Sequence, residues 1–197
     1  MSNYPLAQFA SWLEEAKNTP SITEPTAMAL ATSTKDGQPS VRIVLLKEYD
    51  EGGFVFYTNL ESRKSSELIH NPKASLCFYW MALERQIRIE GNIERVSDAQ
   101  SDAYFATRPR DSQIGAWASK QSKPLLNRDE FLKAIAEKKA EFEGTEIPRP
   151  PFWGGWKLVP ERIEFWKQVE FRLHEREIFT HKESIKSNDW EKSFIYP

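Results

Sequence analysis

The chain has 197 residues, a formal net charge of −2 and a sequence pI near 6.0. That length suits one domain with a sizeable core, and the charge excludes a protein that coats nucleic acid or an anionic membrane, so any anion site must be a local basic cluster. No stretch approaches the roughly 20 apolar residues of a membrane span, and MSNYPLAQFASWLEEAK lacks the basic-then-apolar order of a signal peptide.

Leu6, Phe9, Ala10, Leu13 and Ala16 recur at helical spacing and predict a helix over 5–17, with Pro5 suited to its first turn. Strands are predicted at 27–34, 41–48 and 54–58, separated by turns at Lys35-Asp36-Gly37 and 50–53. A short helix over 61–70 stops before Asn71-Pro72, and an apolar strand follows at 74–80. The lone Cys77 lies in that strand; nothing basic adjoins it to stabilise a thiolate, so it reads as a structural thiol. Residues 84–96 alternate, with Ile87, Ile89 and Ile93 on one face and Arg88, Glu90 and Glu94 on the other. Ser97 with Gln100, and Asn127 with Glu130, are capping-box pairs that start helices; a further helix is predicted over 112–118, and Gly144 supplies a stop. Ile147–Gly155 reads as a rigid connector, and strands are predicted at 156–158, 162–167, 172–180 and 190–195. About eight short strands without βαβ alternation predict a mainly β, antiparallel barrel with appended helices. Residues 1–197 are expected to form one unit, with an N-terminal helical segment over 1–20 and C-terminal strands over 153–197. The chain is expected to be soluble and cytoplasmic.

Four segments concentrate polar chemistry: VRIVLLK (41–47), YTNLESRKS (57–65), RPRDSQIGAWASKQS (108–122) and FWKQVEFRLHER (165–176). Arg63 and Lys64 fall in the first turn of a helix, where cations are disfavoured by the dipole unless an anion binds there. With Arg42, Lys47, Thr58, Ser62, Arg108, Ser122, Arg172 and Arg176 they form either a set of solvated strand-end charges or a phosphate site. Tyr57, Tyr104, Trp117 and Trp166 could flank a flat heteroaromatic ligand or pack the core, the second being preferred for Trp117. Gln86 is an amide that needs partners, from protein or ligand. By period-2 alternation Arg172, His174 and Arg176 share a strand face, and two guanidiniums beside an imidazole call for an anion opposite. Alternation also puts Arg42 and Lys47 on opposite faces of one strand, so a bulge or a subunit interface must reconcile them. No Cys/His cluster has metal spacing, and GxSxG, GxGxxG and Walker loops are missing, which makes redox chemistry on a bound organic cofactor more plausible without selecting it.

On RIVLLK, YTNLESRK, LERQIRIEG, YFATRPRDSQIGAWASKQS, PFWGGW and FWKQVEFRLHER, the chain resembles the pyridoxamine 5′-phosphate oxidase family from Phe9 onward. The resemblance implies an FMN-binding split barrel acting as a homodimer, with FMN at the subunit interface. It implies oxidation of pyridoxine or pyridoxamine 5′-phosphate to pyridoxal 5′-phosphate, with O2 as acceptor, H2O2 as product, and ammonia released from the amine. Flavin contacts are implied for Arg42, Ile43, Val44, Leu45, Leu46 and Lys47, and for Gln86, Gln121, Ser122, Trp166 and Arg176. Tyr57 and Thr58, with Ser62, Arg63 and Lys64, are implied at the FMN phosphate and ribityl chain. Lys47, Tyr104, Arg108 and Ser112 are implied as substrate contacts, with Arg172 acting at C4′ and His174 orienting the pyridine ring. Any lid that longer relatives carry at the N-terminus is expected to be missing. Alternatives are a split-barrel flavin reductase or oxidase for another substrate, and a non-catalytic flavin or pyridoxal phosphate carrier.

Overall fold

The computed structural model describes residues 5–181 and 190–197; residues 1–4 of the N-terminal segment lie outside them. Among the described residues nine strands form one sheet in the order β2-β1-β5-β6-β7-β4-β3, with β8 pairing β7 and β9, and each of these pairings is antiparallel. The strands are β1 (Ala27–Ser33), β2 (Pro39–Leu45), β3 (Glu48–Asp50), β4 (Gly53–Asn59), β5 (Lys73–Trp80), β6 (Arg85–Arg95), β7 (Trp153–Lys167), β8 (Glu175–His181) and β9 (Trp190–Phe194). Helix α1 (Leu6–Lys17) places Phe9, Leu13 and Ala16 in the core, where Phe9 meets Tyr49, Phe54 and Phe78 edge-on. Met28, Leu30, Phe56, Leu76, Ile87, Ile89, Ile163 and Phe165 complete that interior. Burying each such side chain is worth about 1.5–3 kcal/mol. No described helix is long and apolar enough to cross a membrane.

A second apolar cluster forms under three helices, α3 (Asp98–Ala106), α4 (Arg110–Ala118) and α5 (Arg128–Glu141). Phe105, Ile114, Ile147 and Trp153 are its buried members. Both predicted caps are made: Ser97 Oγ accepts from Gln100 N–H, and Asn127 Oδ1 from Glu130 N–H. The first box stays half-built, since the Gln100 amide donates to Glu48 instead of turning back.

Three strand expectations are corrected. The predicted strand at 41–48 ends at Leu45; Leu46 N–H then donates to Thr26 O and Lys47 N–H to Val55 O, so the chain crosses from one sheet edge to the other. Arg42 and Lys47 therefore need no common strand face. The segments at 156–158 and 162–167 are one strand, β7, because Pro160 sits where the β6–β7 register shifts at Glu90/Gly91. A bulge there tolerates the missing N–H. A Cβ on Gly91 would lie 2.0 Å from Val159 O, so only glycine fits that crossing. Finally, residues 172–174 are not strand: Glu170–Arg172 form a 3₁₀ turn, and β8 starts at Glu175.

Candidate active site

Helix α2 (Arg63–His70) begins where β4 ends, and the loop after α4 returns beside it. Between them and β2 lies a cavity of about 1060 Å³. Lys64 is its most perturbed cation. Its ammonium donates to Thr58 Oγ1 (3.0 Å), Gln121 Oε1 (2.8 Å) and Ser62 Oγ (3.3 Å). Burial, and then the charge of Arg42, bring its pKa down from 10.5 to about 8, against a smaller pull from Glu67. Arg63 and Arg42 are both held by one buried carboxylate, Glu67, at 2.8 and 3.2 Å, which also accepts from Thr32 Oγ1. Burial pushes the Glu67 carboxyl up, but hydrogen bonds from Thr32 and Arg63 and the two guanidinium charges outweigh it, so the net direction is down. Arg42 spends both terminal nitrogens within the chain, on Leu30 O, Thr32, Ser40 and Glu67, so it braces the wall more than it offers donors. Ser122 turns through φ 70° at the rim.

A second polar group faces the same cavity from α3 and α4. Tyr57 stacks on Tyr104 at 4.1 Å and on Trp153 at 5.4 Å, nearly parallel to both. Tyr57 Oη donates to Glu48 (2.7 Å), whose other oxygen takes the Gln100 amide, and burial followed by this contact pushes the phenol pKa well up. The Arg108 guanidinium lies 4.8 Å from the Trp153 ring centroid, and its Nη1 is buried with no hydrogen-bond partner among the described residues. Ser112, on the first turn of α4, lines the wall beside it.

Of the residues singled out by sequence, Arg42, Ile43, Val44, Leu45, Lys47, Tyr57, Thr58, Arg63, Lys64, Tyr104, Arg108, Ser112, Gln121 and Ser122 line this cavity. Leu46 and Ser62 do not. Leu46 is in the core, and the fully buried Ser62 hydroxyl donates to Asn59 O. Trp117 packs on Phe142 and Phe152, with its indole N–H on Pro148 O, as core packing predicts.

Gln86, Trp166, Arg172, His174 and Arg176 gather elsewhere. Gln86, Trp166 and Arg176 form one cross-strand row, and the His174 ring lies 4.7 Å from Trp166. From Gly155, which pairs Tyr57, to Trp166 is roughly 35 Å of strand at ~3.3 Å per residue. The expected shared face of Arg172, His174 and Arg176 is not formed, because Phe171 (φ 57°) and Arg172 (φ 62°) are left-handed and break the alternation. Sequence reasoning missed Glu48, Asn59, Glu67 and Trp153. Glu67 was readable as the i+4 partner of Arg63, and Trp153 belongs to the PFWGGW motif.

Residues 14–140 match the family described as pyridoxamine 5′-phosphate oxidase, and residues 153–197 match the pyridoxine 5′-phosphate oxidase C-terminal dimerisation region. The chain belongs to the pyridoxamine 5′-phosphate oxidase family. The pyridoxine/pyridoxamine 5′-phosphate oxidase of Zymomonas mobilis is 52% identical over 197 residues, covering 100% of both chains. Its counterpart from Sphingopyxis alaskensis is 54% identical over 200 residues, covering 100% of this chain and 89% of the other. Among solved structures, PhzG from Burkholderia lata 383, in complex with tetrahydrophenazine-1-carboxylic acid, superposes with a TM-score of 0.92 at 32% identity, covering 100% and 94% of the two chains. A pyridoxamine 5′-phosphate oxidase-related, FMN binding protein from Nostoc punctiforme shares the fold, with a TM-score of 0.77 at 17% identity and full coverage of both chains. The antiparallel architecture is thus the split barrel of the pyridoxamine 5′-phosphate oxidase family.

Proposed function

We propose that this protein is an FMN-dependent oxidase that converts pyridoxine 5′-phosphate or pyridoxamine 5′-phosphate to pyridoxal 5′-phosphate. One observation carries the reading: one cavity presents two separate groups of cationic and hydroxyl donors, Arg63–Lys64–Thr58–Gln121 and Arg108–Ser112–Tyr104. A phosphorylated cofactor and a phosphorylated substrate in one site need two such groups. The identity of 52–54% to enzymes of that name over the whole chain supports the same substrates.

The residues present fit FMN. Lys64, Arg63, Thr58, Gln121 and Ser122 suit its phosphate and hydroxylated chain, while Ile43, Val44 and Leu45 with Lys47 offer an apolar wall edged by a cation. When bound, FMN supplies the redox step, accepting a hydride equivalent from the substrate C4′ and passing the electrons to O2 to give H2O2. The chain's own work is to bind and orient. The buried Arg108 Nη1, without a hydrogen-bond partner among the described residues, takes the substrate phosphate with Ser112, Tyr104 and Lys47. Arg172 brings a planar guanidinium to guide departure at C4′. His174 orients the pyridine ring.

The protein is a homodimer, in keeping with its C-terminal dimerisation region, and we place FMN at the subunit interface. Gln86, Trp166, Arg172, His174 and Arg176 do not line the cavity of their own chain, and we assign them to the partner's. Val41 and Ile43 on the β2 edge, and Phe171 and Leu173 in the turn before His174, are all more than half exposed and supply apolar surface for that contact. A lone cysteine and the overall composition are consistent with a cytoplasmic setting.

Anaerobic titration with pyridoxine 5′-phosphate, followed by flavin absorption, tests the reading. Bleaching that returns on admitting air is expected. A flavin that stays oxidised with both B6 phosphates, yet bleaches with a reduced carboxylated heterocycle, would move the protein to chemistry like that suggested by the PhzG complex.

A further inference from the structure

The reversal between β7 and β8 is built in an unusual way. Gln168 is fixed at its start, its backbone N–H donating to Glu84 O (2.9 Å) and its side-chain amide to Glu84 Oε1 (2.8 Å). Phe171 and Arg172 then occupy left-handed backbone one after the other, at φ 57° and 62°, a region that L side chains rarely enter. Packing within the chain does not impose this, since Phe171 is 88% and Leu173 65% exposed there. Two consecutive left-handed residues without glycine mark a segment shaped for function. What the turn achieves is visible at its end: Val169 N–H donates to His174 Nδ1 at 3.2 Å, while Leu173 N–H closes on Glu170 O.

That contact determines which ring nitrogen carries the proton. A peptide N–H can only donate, so Nδ1 must present its lone pair, and the single proton of the neutral imidazole then resides on Nε2. The His174 ring is also held against Trp166, centroids 4.7 Å apart and planes tilted by 47°. We infer that the Val169–His174 turn locks His174 as the Nε2–H tautomer, making it a hydrogen-bond donor to an acceptor atom of the substrate and not a proton-abstracting base. The donor role rests on the proposed oxidase reading, in which His174 faces the substrate; the tautomer itself does not. Val169, through its backbone N–H, is the positioning residue.

The test uses FMN-loaded protein labelled with ¹⁵N-histidine, read by two-bond ¹H–¹⁵N correlation, which separates protonated from unprotonated ring nitrogens. His174→Gln assigns the His174 signals by their loss. The expected result is an unprotonated Nδ1 and a protonated Nε2 whose signal shifts on addition of pyridoxal 5′-phosphate. A proton on Nδ1 overturns the inference. An Nε2 signal indifferent to the product, in a sample that oxidises pyridoxine 5′-phosphate, overturns the donor role and leaves the oxidase standing. Conversely, the predicted tautomer in a protein that oxidises neither B6 phosphate sinks the oxidase and preserves the tautomer. Variants give a second readout. Gln sets an amide N–H near the place of Nε2, whereas Asn reaches only the place of Nδ1. Gln is therefore expected to keep kcat/KM about tenfold or more above Asn, with the difference in KM for the substrate; the reverse order would contradict the donor role.

Discussion

Replacing Lys64 with Met should separate binding from folding. The Lys64 side chain is 9% exposed, and its pKa of about 8 lies below the ordinary 10.5 because burial and Arg42 disfavour the charge. Between pH 8 and 10.5 the unfolded chain therefore holds a proton there that the folded one has lost. Stability rises with pH across that window, and below pH 8 the fold carries the whole cost. At 1.36 kcal/mol per pKa unit the cost is at most about 3 kcal/mol, and about 1–2 kcal/mol after allowing for residual solvation. Met removes the charge in a similar volume but strands the Thr58 and Gln121 acceptors. The apoprotein is therefore expected to melt within a few degrees of wild type, and not lower. FMN binding moves the other way. Losing a charge-assisted hydrogen bond of about 1.5–3 kcal/mol weakens Kd about 10- to 150-fold. Quenching of flavin fluorescence by apoprotein measures this, with riboflavin, which lacks the phosphate, as an unaffected control. In the wild type, FMN affinity should fall as the pH rises past about 8 while riboflavin affinity stays flat. An unchanged preference for FMN over riboflavin in Lys64→Met would refute the placement of the phosphate.

Other substitutions probe the remaining parts. Glu67→Gln should cost about 1–3 kcal/mol in urea unfolding at pH 7, because Arg42 and Arg63 lose their shared anion. Since the folded Glu67 pKa lies below its ordinary value, the wild-type advantage is present above about pH 4.5 and shrinks as the pH falls through the folded value, so the two proteins should converge in acid. In Gly155→Ala the new Cβ would meet Val96 Cγ2 at 2.5 Å and Tyr57 Cε1 at 2.8 Å; a loss of about 1–3 kcal/mol in thermal unfolding is expected, with a raised substrate KM as Tyr57 leaves its stack on Tyr104. Arg172→Ala should retain one FMN per chain while kcat/KM falls about 100-fold or more. Refolding it together with Lys64→Met should restore one intact site in each mixed dimer, and no recovery would place both halves of the site on one chain.

Much of the fold was legible where one period dominates. The Ile87, Ile89 and Ile93 row is buried as alternation predicts, and the oxygens of Ser97 and Asn127 cap their helices. The failures have local causes. Pro160 reads as a break, but its missing N–H falls at a register shift where no ladder bond is lost. RLHER reads as strand, and no glycine announces that Phe171 and Arg172 turn left-handed. In the site, composition identified the donors, yet helical phase decided which of them face the cavity. Lys64 does, whereas Ser62 two residues earlier turns to Asn59 O. The residues that fix the donors were hidden because carboxylates are common on any surface, and only the folded chain distinguishes a buried one.

Those carboxylates explain how a chain of net charge −2 gathers cations for two phosphates. Glu67 holds Arg42 and Arg63, and Glu48 holds Tyr57. Beside the Gln86–Trp166–Arg176 row, Glu164, 1% exposed, accepts from Arg176 at 2.7 and 2.8 Å and from Arg88 and Arg162 at 3.4 Å. Glu67 and Glu164 reduce the repulsion among neighbouring guanidiniums and, with Glu48 on Tyr57, fix the side chains before any ligand arrives, so less binding energy is spent on ordering them. Lys64 is left differently: its three partners are neutral oxygens, and Glu67 influences it only at a distance. It is the cation with most to gain from a phosphate, because ligand charge would restore what burial removed. The arginines thus set the geometry of the site while Lys64 senses the charge, which is why the pH dependence of cofactor binding should follow the lysine and not the arginines.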